Sequence, residues 1–205
     1  EILIGLVGSE MCIRDRYKHQ FHMNKNDLYC NAGMYLVDLK KWREEKVEDK
    51  IIKRIHEQNG NVFFFEQTLM NWSCSGKILQ LPPKYNAYTL FWAFTYKNLI
   101  CWRKPNAFYL ESEVEEAKDN PIIIHFTRNF YMLSRPWIKG CDHPKTKEYV
   151  KYKLLTPWKQ LEEDNRSKKS IRRYKLWHII PQRILAIGAG VIYNEVRPKL
   201  WWKNE

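Results

Sequence analysis

Residues 29–42 read Tyr29-Cys30-Asn31-Ala32-Gly33-Met34-Tyr35-Leu36-Val37-Asp38-Leu39-Lys40-Lys41-Trp42, and few folds accommodate that order of residue types. Asn31-Ala32-Gly33 is a small polar turn and Met34 to Val37 a short apolar run. Asp38 is a strong helix cap, with Leu39 and Trp42 behind it at helical spacing. Turn, buried strand and capped helix in succession predict an α/β sheet that presents a backbone loop at a sheet edge. A glycine beside an asparagine lets a ligand approach the backbone, because no Cβ intervenes. Taken alone, the triplet reads first as a tight turn before a core strand. The rest of the chain shifts that balance.

Residues 17–28 are polar and predict a loop. Helical character continues through residues 43–58, with Ile51, Ile52 and Ile55 on one face, until Asn59-Gly60 stops it. Phe63-Phe64-Phe65 then leads into Glu66-Gln67 at the start of a second helix, where free N–H groups and a positive dipole end are on offer. For Glu66 the plain alternative is dipole compensation. Gly76 ends the helix, residues 77–81 read as a strand, and Pro82-Pro83 prevents its continuation. A long aromatic loop is expected from Lys84 to Tyr109. Ser112-Glu113-Val114-Glu115 reads as a capping box opening a short helix. Ile122-Ile123-Ile124 reads as a buried strand that delivers His125 at its carboxyl end, the place where open α/β sheets put ligand groups. A lone histidine there is, on its own, more often structural. Residues 145–158 look helical, with Tyr149, Tyr152 and Leu155 on one stripe. The folded domain is expected to close near Trp158, with a charged linker over residues 159–170 and a basic aromatic tail over 171–205.

At 205 residues, 44% of them hydrophobic, the chain can bury one sizeable core. The longest apolar run, residues 184–193, is about half of the ~20 residues a membrane-spanning helix needs. Five scattered cysteines with no Cys-x-x-Cys pair give neither a zinc site nor a disulfide framework, so reduced thiols in the cytoplasm are expected. Neither a Gly-x-Gly-x-x-Gly, a P-loop nor an HExxH sequence occurs.

Glu10-Met11-Cys12-Ile13-Arg14-Asp15 looks like one translated frame of a sequencing-library adapter. Residues 1–16 are therefore expected to be a scar outside the fold; the alternative is a genuine N-terminal strand. On the first reading, residues 17–158 are the C-terminal portion of a larger domain that continues upstream of Tyr17.

Several of these pieces together resemble a family 8 glycosyltransferase. This is the retaining, nucleotide-sugar family that includes bacterial lipopolysaccharide galactosyl- and glucosyltransferases and glycogenin. The matching residues, in order, are Asn31-Ala32-Gly33 with Leu36-Val37-Asp38-Leu39 and Lys41-Trp42; Glu66-Gln67; Leu81-Pro82-Pro83-Lys84-Tyr85-Asn86; Glu116-Ala117 with Asn120-Pro121-Ile122-Ile123-Ile124-His125-Phe126-Thr127; and Arg135-Pro136-Trp137. Five such pieces in the family's order are a specific signal. The resemblance does not extend to the tail in any specific way.

The resemblance implies an α/β fold of the GT-A, Rossmann-like type, here incomplete, that binds a UDP-sugar with a divalent metal, usually Mn²⁺. It makes His125 a metal ligand, whose co-ligands in the family are an Asp-x-Asp pair. Imidazole and carboxylate donors suit Mn²⁺. It sets Asn31, Ala32 and Gly33 at the nucleotide-sugar, Glu66 and Gln67 at the donor sugar with Gln67 nearest the anomeric carbon, and Arg135 at the diphosphate. UDP-glucose or UDP-galactose is the expected donor and a cell-surface glycan or glycolipid the acceptor. Departures bear on sugar preference and phosphate contacts: Glu66 replaces an aspartate, Thr68 an acidic residue and Arg135 a lysine, while Arg128 stands where glycine is common. No Asp-x-Asp follows Arg16. The 205 residues alone are therefore expected to be poorly stable and inactive. A non-catalytic GT-A binding or scaffolding protein is the alternative.

Of the formal net charge of +12, the stretch from Arg166 onward contributes ten Lys/Arg against two Glu, a net +8. Interleaved with Tyr174, Trp177, Tyr193, Trp201 and Trp202, this charge suits an anionic membrane surface, and so a peripheral place on the inner face of the cytoplasmic membrane. Nucleic acid explains the charge but not the Asn-Ala-Gly, Glu-Gln and His-Phe-Thr series, and ranks last. A solvated helix packed on the domain is the plain alternative.

Overall fold

The structure is a computed structural model that describes residues 3–5, 21, 23, 24, 27, 29–62, 65–103, 108–192 and 196. β1 (Leu3–Gly5) lies between β2 (Tyr35–Val37) and β3 (Ile78–Leu79), antiparallel to β2 in the register Ile4 opposite Leu36 and parallel to β3 in the register Leu3 opposite Ile78. Leu3–Gly5 thus forms the middle strand of a sheet. A second, two-stranded parallel sheet pairs β4 (Ala87–Tyr88) with β5 (Ile124–His125).

Asp38 caps α1 (Leu39–Glu44) as its residue type dictates, its Oδ1 accepting from the Lys40 and Lys41 amides at 3.0 and 3.1 Å. Those bonds hold its carboxyl below the usual range. The expected long helix is broken at Lys46, whose φ of 49° is left-handed, and resumes as α2 (Val47–Glu57). Gly60, at φ 78°, closes it by donating to Ile55 O at 2.9 Å. α3 (Phe65–Ser73) follows. Val47, Met70 and Cys74 form a small core with Val37, Trp42, Ile51 and Ile78. Burial there pushes the Cys74 thiol up to about 11.

The sequence reading is corrected in several places. Strand β2 is not buried: Leu36 is 59% exposed and Tyr35 is exposed too, so only Val37 reaches the core. Ile122 is 57% exposed, and pairing is confined to Ile124 and His125. Among the described residues, the stretch from Lys84 to Tyr109 is not a loop but the main core. It holds a 3-10 turn at Pro83–Asn86, α4 (Leu90–Ala93) and α5 (Tyr96–Arg103). Leu90, Phe91, Phe94, Leu99 and Trp102 bury against Tyr109 and against Val114 and Ala117 of α6 (Glu111–Asp119). Apolar side chains spaced three and four apart gave these residues a helical face, which aromatic content alone obscured. α6 starts one residue before Ser112: Glu113 reaches back to the Leu110 amide at 2.7 Å. α7 covers only Thr146–Lys153 of residues 145–158, and Tyr152 and Leu155 are exposed.

α8 (Lys168–Ile179) and α9 (Gln182–Val191) form the tail. α9 packs along α5, and Ala186 is fully buried in the main core, well past Trp158. A Cβ on Gly190 would come within 3.0 Å of Trp102 O, so the two helices meet almost backbone to backbone. Gln182 pins the start of α9, donating to Ala93 O at 3.0 Å and accepting from Asn98 Nδ2 at 2.7 Å. The charged segment before α8 is also tied down, because Asp164 pairs with Ile138 and Arg166 Nε donates to Lys139 O at 3.0 Å.

Candidate functional site

The Asn31 turn is held from two sides. On one side stands α3. Its buried Asn71 accepts from the Cys30 amide at 2.6 Å and donates to Cys30 O at 2.8 Å and to Gln67 O at 2.7 Å. Tyr29 and Thr68 share a hydroxyl bond at 2.7 Å beside it. The turn closes locally when the Gly33 amide donates to Asn31 Oδ1 at 2.8 Å, the bond that makes Asn favourable at such positions.

One helical turn before Asn71, Gln67 presents its Oε1 to the turn. It accepts from Asn31 Nδ2 and from the Ala32 amide, each at 3.3 Å. Gln67 is 7% exposed and its Nε2 has no hydrogen-bond partner. A buried donor left unpaired costs about 1–3 kcal/mol, which a ligand acceptor would recover.

On the other side stands Asn86, at the end of the Pro83–Asn86 turn and 1% exposed. Its Nδ2 donates to Asn31 Oδ1 at 3.2 Å, and its Oδ1 meets His125 Nδ1 at 2.9 Å. With that amide orientation His125 is the donor at Nδ1. The His125 carbonyl accepts from the Thr127 amide at 2.8 Å, the Thr89 amide at 3.2 Å and Thr89 Oγ1 at 3.4 Å, so the end of β5 is fixed. Gly33 lies against the imidazole: a Cβ there would be 2.6 Å from His125 Cε1.

The structure thus joins Gln67, Asn31, Ala32, Gly33 and His125, all expected from sequence, through Asn86. Asn86 stood in a quoted motif with no role assigned. Asn71 was likewise missed, although polar residues at i and i+4 of an otherwise buried helix, Gln67 and Asn71, were the available signal. Glu66 is exposed in the first turn of α3 and makes no hydrogen bond or ion pair among the described residues, so it is not part of this network. Arg135 stands on a separate loop tied by Ser134 Oγ to Thr127 O at 2.7 Å. Its guanidinium lies 5.6 Å from the Trp137 ring centre, and its buried Nε has no partner.

Of metal ligands, this network offers one imidazole whose other nitrogen is hydrogen-bonded, the usual support for a coordinating histidine. Among the described residues no three His, Cys, Asp or Glu side chains gather in a metal-binding group. His125 therefore fits as a single ligand and not as a complete site.

Two small sheets with helices packed on them, and a polar loop at strand ends, make an α/β fold of the GT-A type, and solved glycosyltransferase structures share that fold. The apo bifunctional glycosyltransferase WbbM is 16% identical with a TM-score of 0.56, over 85% of this chain and 30% of that one. An active-site mutant of LgtC is 17% identical with a TM-score of 0.51, over 73% of this chain and 50% of that one. The family model for glycosyl transferase family 8 matches residues 9–139, and the chain belongs to that family. Lipopolysaccharide 1,2-glucosyltransferase of Escherichia coli (strain K12) is 30% identical over 171 residues, 80% of this chain and 45% of that protein. General stress protein A of Bacillus subtilis (strain 168) is 26% identical over 140 residues, 66% of this chain and 45% of that protein. The chain spans about half the length of these curated relatives, 45% in each case.

Proposed function

We propose that the protein of which these residues form a part transfers a hexose, with retention, from UDP-glucose or UDP-galactose to a cell-surface glycan or lipopolysaccharide acceptor. The observation that carries this reading is the continuous chain of amides from Gln67 through Asn31 and Asn86 to His125. Each link holds the next in one orientation, as a site that must meet a transition state within fractions of an ångström requires.

In this reading the Asn31-Ala32-Gly33 backbone receives the donor, since Gly33 leaves room for close approach. Gln67 Nε2 donates to the donor sugar near its anomeric carbon, which satisfies the otherwise unpaired N–H. Arg135, with its buried Nε open, takes the diphosphate, a match for the planar guanidinium. Glu66 lies at the rim, where it would meet the donor sugar only from the solvent side. His125, oriented by Asn86, would supply one ligand for a divalent cation such as Mn²⁺, whose co-ligands in the family are an Asp-x-Asp pair, a motif not found in this sequence. Bound there, such an ion would offset the negative charge developing on the departing diphosphate.

The test begins with the DNA upstream of the Tyr17 codon in the source sample. The expected result is an open frame continuing into an apolar strand that ends in Asp-x-Asp. The longer protein, purified with Mn²⁺, is then expected to move hexose from a UDP-sugar to a lipopolysaccharide acceptor with unchanged anomeric configuration. Gln67→Ala is expected to lower kcat about 10²-fold or more, the scale of losing a donor aimed at the reacting centre. A frame lacking acidic ligands would move the non-catalytic binding reading into first place.

The tail supports a place at a membrane surface. α8 carries Lys168, Lys169, Arg172, Arg173 and Lys175, and no acid occurs from residue 165 to residue 194. On α9, Leu185, Ala186 and Gly190 face the domain while Ile184, Ile187 and Val191 are exposed along one ridge. Apolar ridge beside basic flank is the pattern of a helix lying in an anionic interface, and suits an enzyme held on the inner face of the cytoplasmic membrane. No helix among the described residues is long and apolar enough to cross a membrane.

A further inference from the structure

Beside His125, on the side toward α7, the surface opens into a cleft of about 800 Å³. That volume lies within the range of small-molecule sites. One wall is aromatic: Trp137 and Tyr149 meet with ring centres 6.1 Å apart, and Tyr152 stands one helical turn further along α7 with its ring exposed. Asp119, at the end of α6, and Glu148, on α7, line the same space. Lys145 lines it as well, with its ammonium donating to the Asp119 carbonyl at 3.4 Å. The cleft touches the site described above at two points, since His125 also lines it and Trp137 carries the Arg135 guanidinium 5.6 Å from its ring centre; Tyr149, Tyr152, Asp119, Glu148 and Lys145 have no part in that site.

The chemistry of this lining selects a ligand class. Flat rings half open to solvent offer π-faces to the weakly positive C–H face of a pyranose, and carboxylates accept strongly from the hydroxyls at its edge. With Lys151 Nζ 4.0 Å from Glu148 Oε2 and 5.8 Å from the Tyr152 ring centre, two acidic residues meet two lysines, a balanced lining that suits a neutral ligand better than a diphosphate. We propose that this cleft binds a neutral oligosaccharide, the part of the acceptor beyond the sugar that reacts, stacked on Tyr149, Tyr152 and Trp137 and hydrogen-bonded by Asp119 and Glu148. The assignment to the acceptor rests on the proposed transferase activity; the saccharide site itself does not.

The 205-residue chain is titrated with lactose and maltotriose, and separately with UDP, using saturation-transfer NMR and calorimetry. Tyr152→Ala and Glu148→Gln alter exposed side chains, and Tyr35→Ala, exposed and outside the cleft, is the control. Circular dichroism of all three is expected to overlay that of the parent. The expected result is that at least one saccharide binds, that Tyr152→Ala and Glu148→Gln each weaken it about tenfold, and that Tyr35→Ala leaves it unchanged. UDP binding is expected to be equal in all four proteins. No saccharide binding by the parent, or binding indifferent to Tyr152 and Glu148, overturns the proposal. Saccharide binding that behaves as expected, together with no hexose transfer by the longer protein carrying Asp-x-Asp, keeps the cleft as a saccharide site and removes the transferase reading instead.

Discussion

Gly33 sets the position of the His125 ring. A Cβ at this position would fall 2.6 Å from Cε1 and 2.7 Å from Nδ1 of His125, and 2.7 Å from Asn31 Oδ1. Its neighbours are pinned at both ends by Asn86, so they cannot yield without breaking a hydrogen bond. Gly33→Ala is therefore expected to move the imidazole while leaving the donor atoms chemically intact. The His125 ring signals should shift in NMR spectra, UDP affinity should fall about tenfold or more, and the melting temperature should change by only a few degrees, since the turn lies at the surface. At this scale the sequence was informative where a residue type has few uses: Asn31, Gly33, Gln67 and His125 were all marked. Asn86 and Asn71 escaped because a buried amide announces nothing about which partner it will find. That partner lies 39 residues away for Asn86 and 41 for Asn71.

Among the elements, the loop after β5 and the start of α7 meet around His143. This residue is buried between the edges of Trp92 and Phe126, with ring centres at 4.9 and 4.7 Å, and its Nδ1 accepts from the Lys145 amide at 3.2 Å. Burial, and to a lesser degree Lys145, pushes its pKa from 6.5 down to about 4. The unfolded chain therefore takes up a proton in a window where the folded chain does not. Stability is greatest above about pH 6.5, falls as the pH drops toward 4, and levels off below that. Between pH 7 and 5 the loss is on the order of 2 kcal/mol. Urea melts at those two pH values should show it, and His143→Phe should shrink the difference. Element boundaries were less legible than residue roles. Asp38 opened a helix and Gly60 closed one where their chemistry said they would. The stretch from Lys84 to Tyr109 concealed two helices because its aromatic residues satisfy strand, loop and helix patterns alike, and only packing against α6 and α9 decides between them. The exposed face of β2 was illegible for the opposite reason, since an apolar run reports what a strand could bury and not whether anything covers it.

For the molecule as a whole, charge and packing separate. Two thirds of the net +12 lies from Arg166 onward, yet α9 from that same region contributes Leu185 and Ala186 to the interior. Sequence showed the charge and the interleaved aromatic residues. It did not show which face of α9 turns inward, because small residues such as Ala186 and Gly190 carry little weight in an apolar pattern and owe their place to the backbone of Trp102. The protein is expected to sediment with vesicles containing phosphatidylserine and to remain in the supernatant with oligonucleotides or neutral vesicles. Ile184→Asp with Ile187→Asp, on the exposed ridge, should abolish sedimentation without loss of helix content. Charge reversal at Arg172 and Arg173 should weaken it by about 1 kcal/mol for each side chain near the surface.

The contact between Gly190 and the backbone of Trp102 also fixes a direction. α9 cannot roll about its own axis without lifting Ala186 out of the interior, so the ridge of Ile184, Ile187 and Val191 points one way only. A flat surface that receives this ridge meets the body at a single tilt and holds His125 at a single height above it. On the proposed function, the reach of the molecule is set by geometry rather than by affinity: an acceptor that projects too far, or not far enough, from that surface is expected to miss His125 however well its sugars fit.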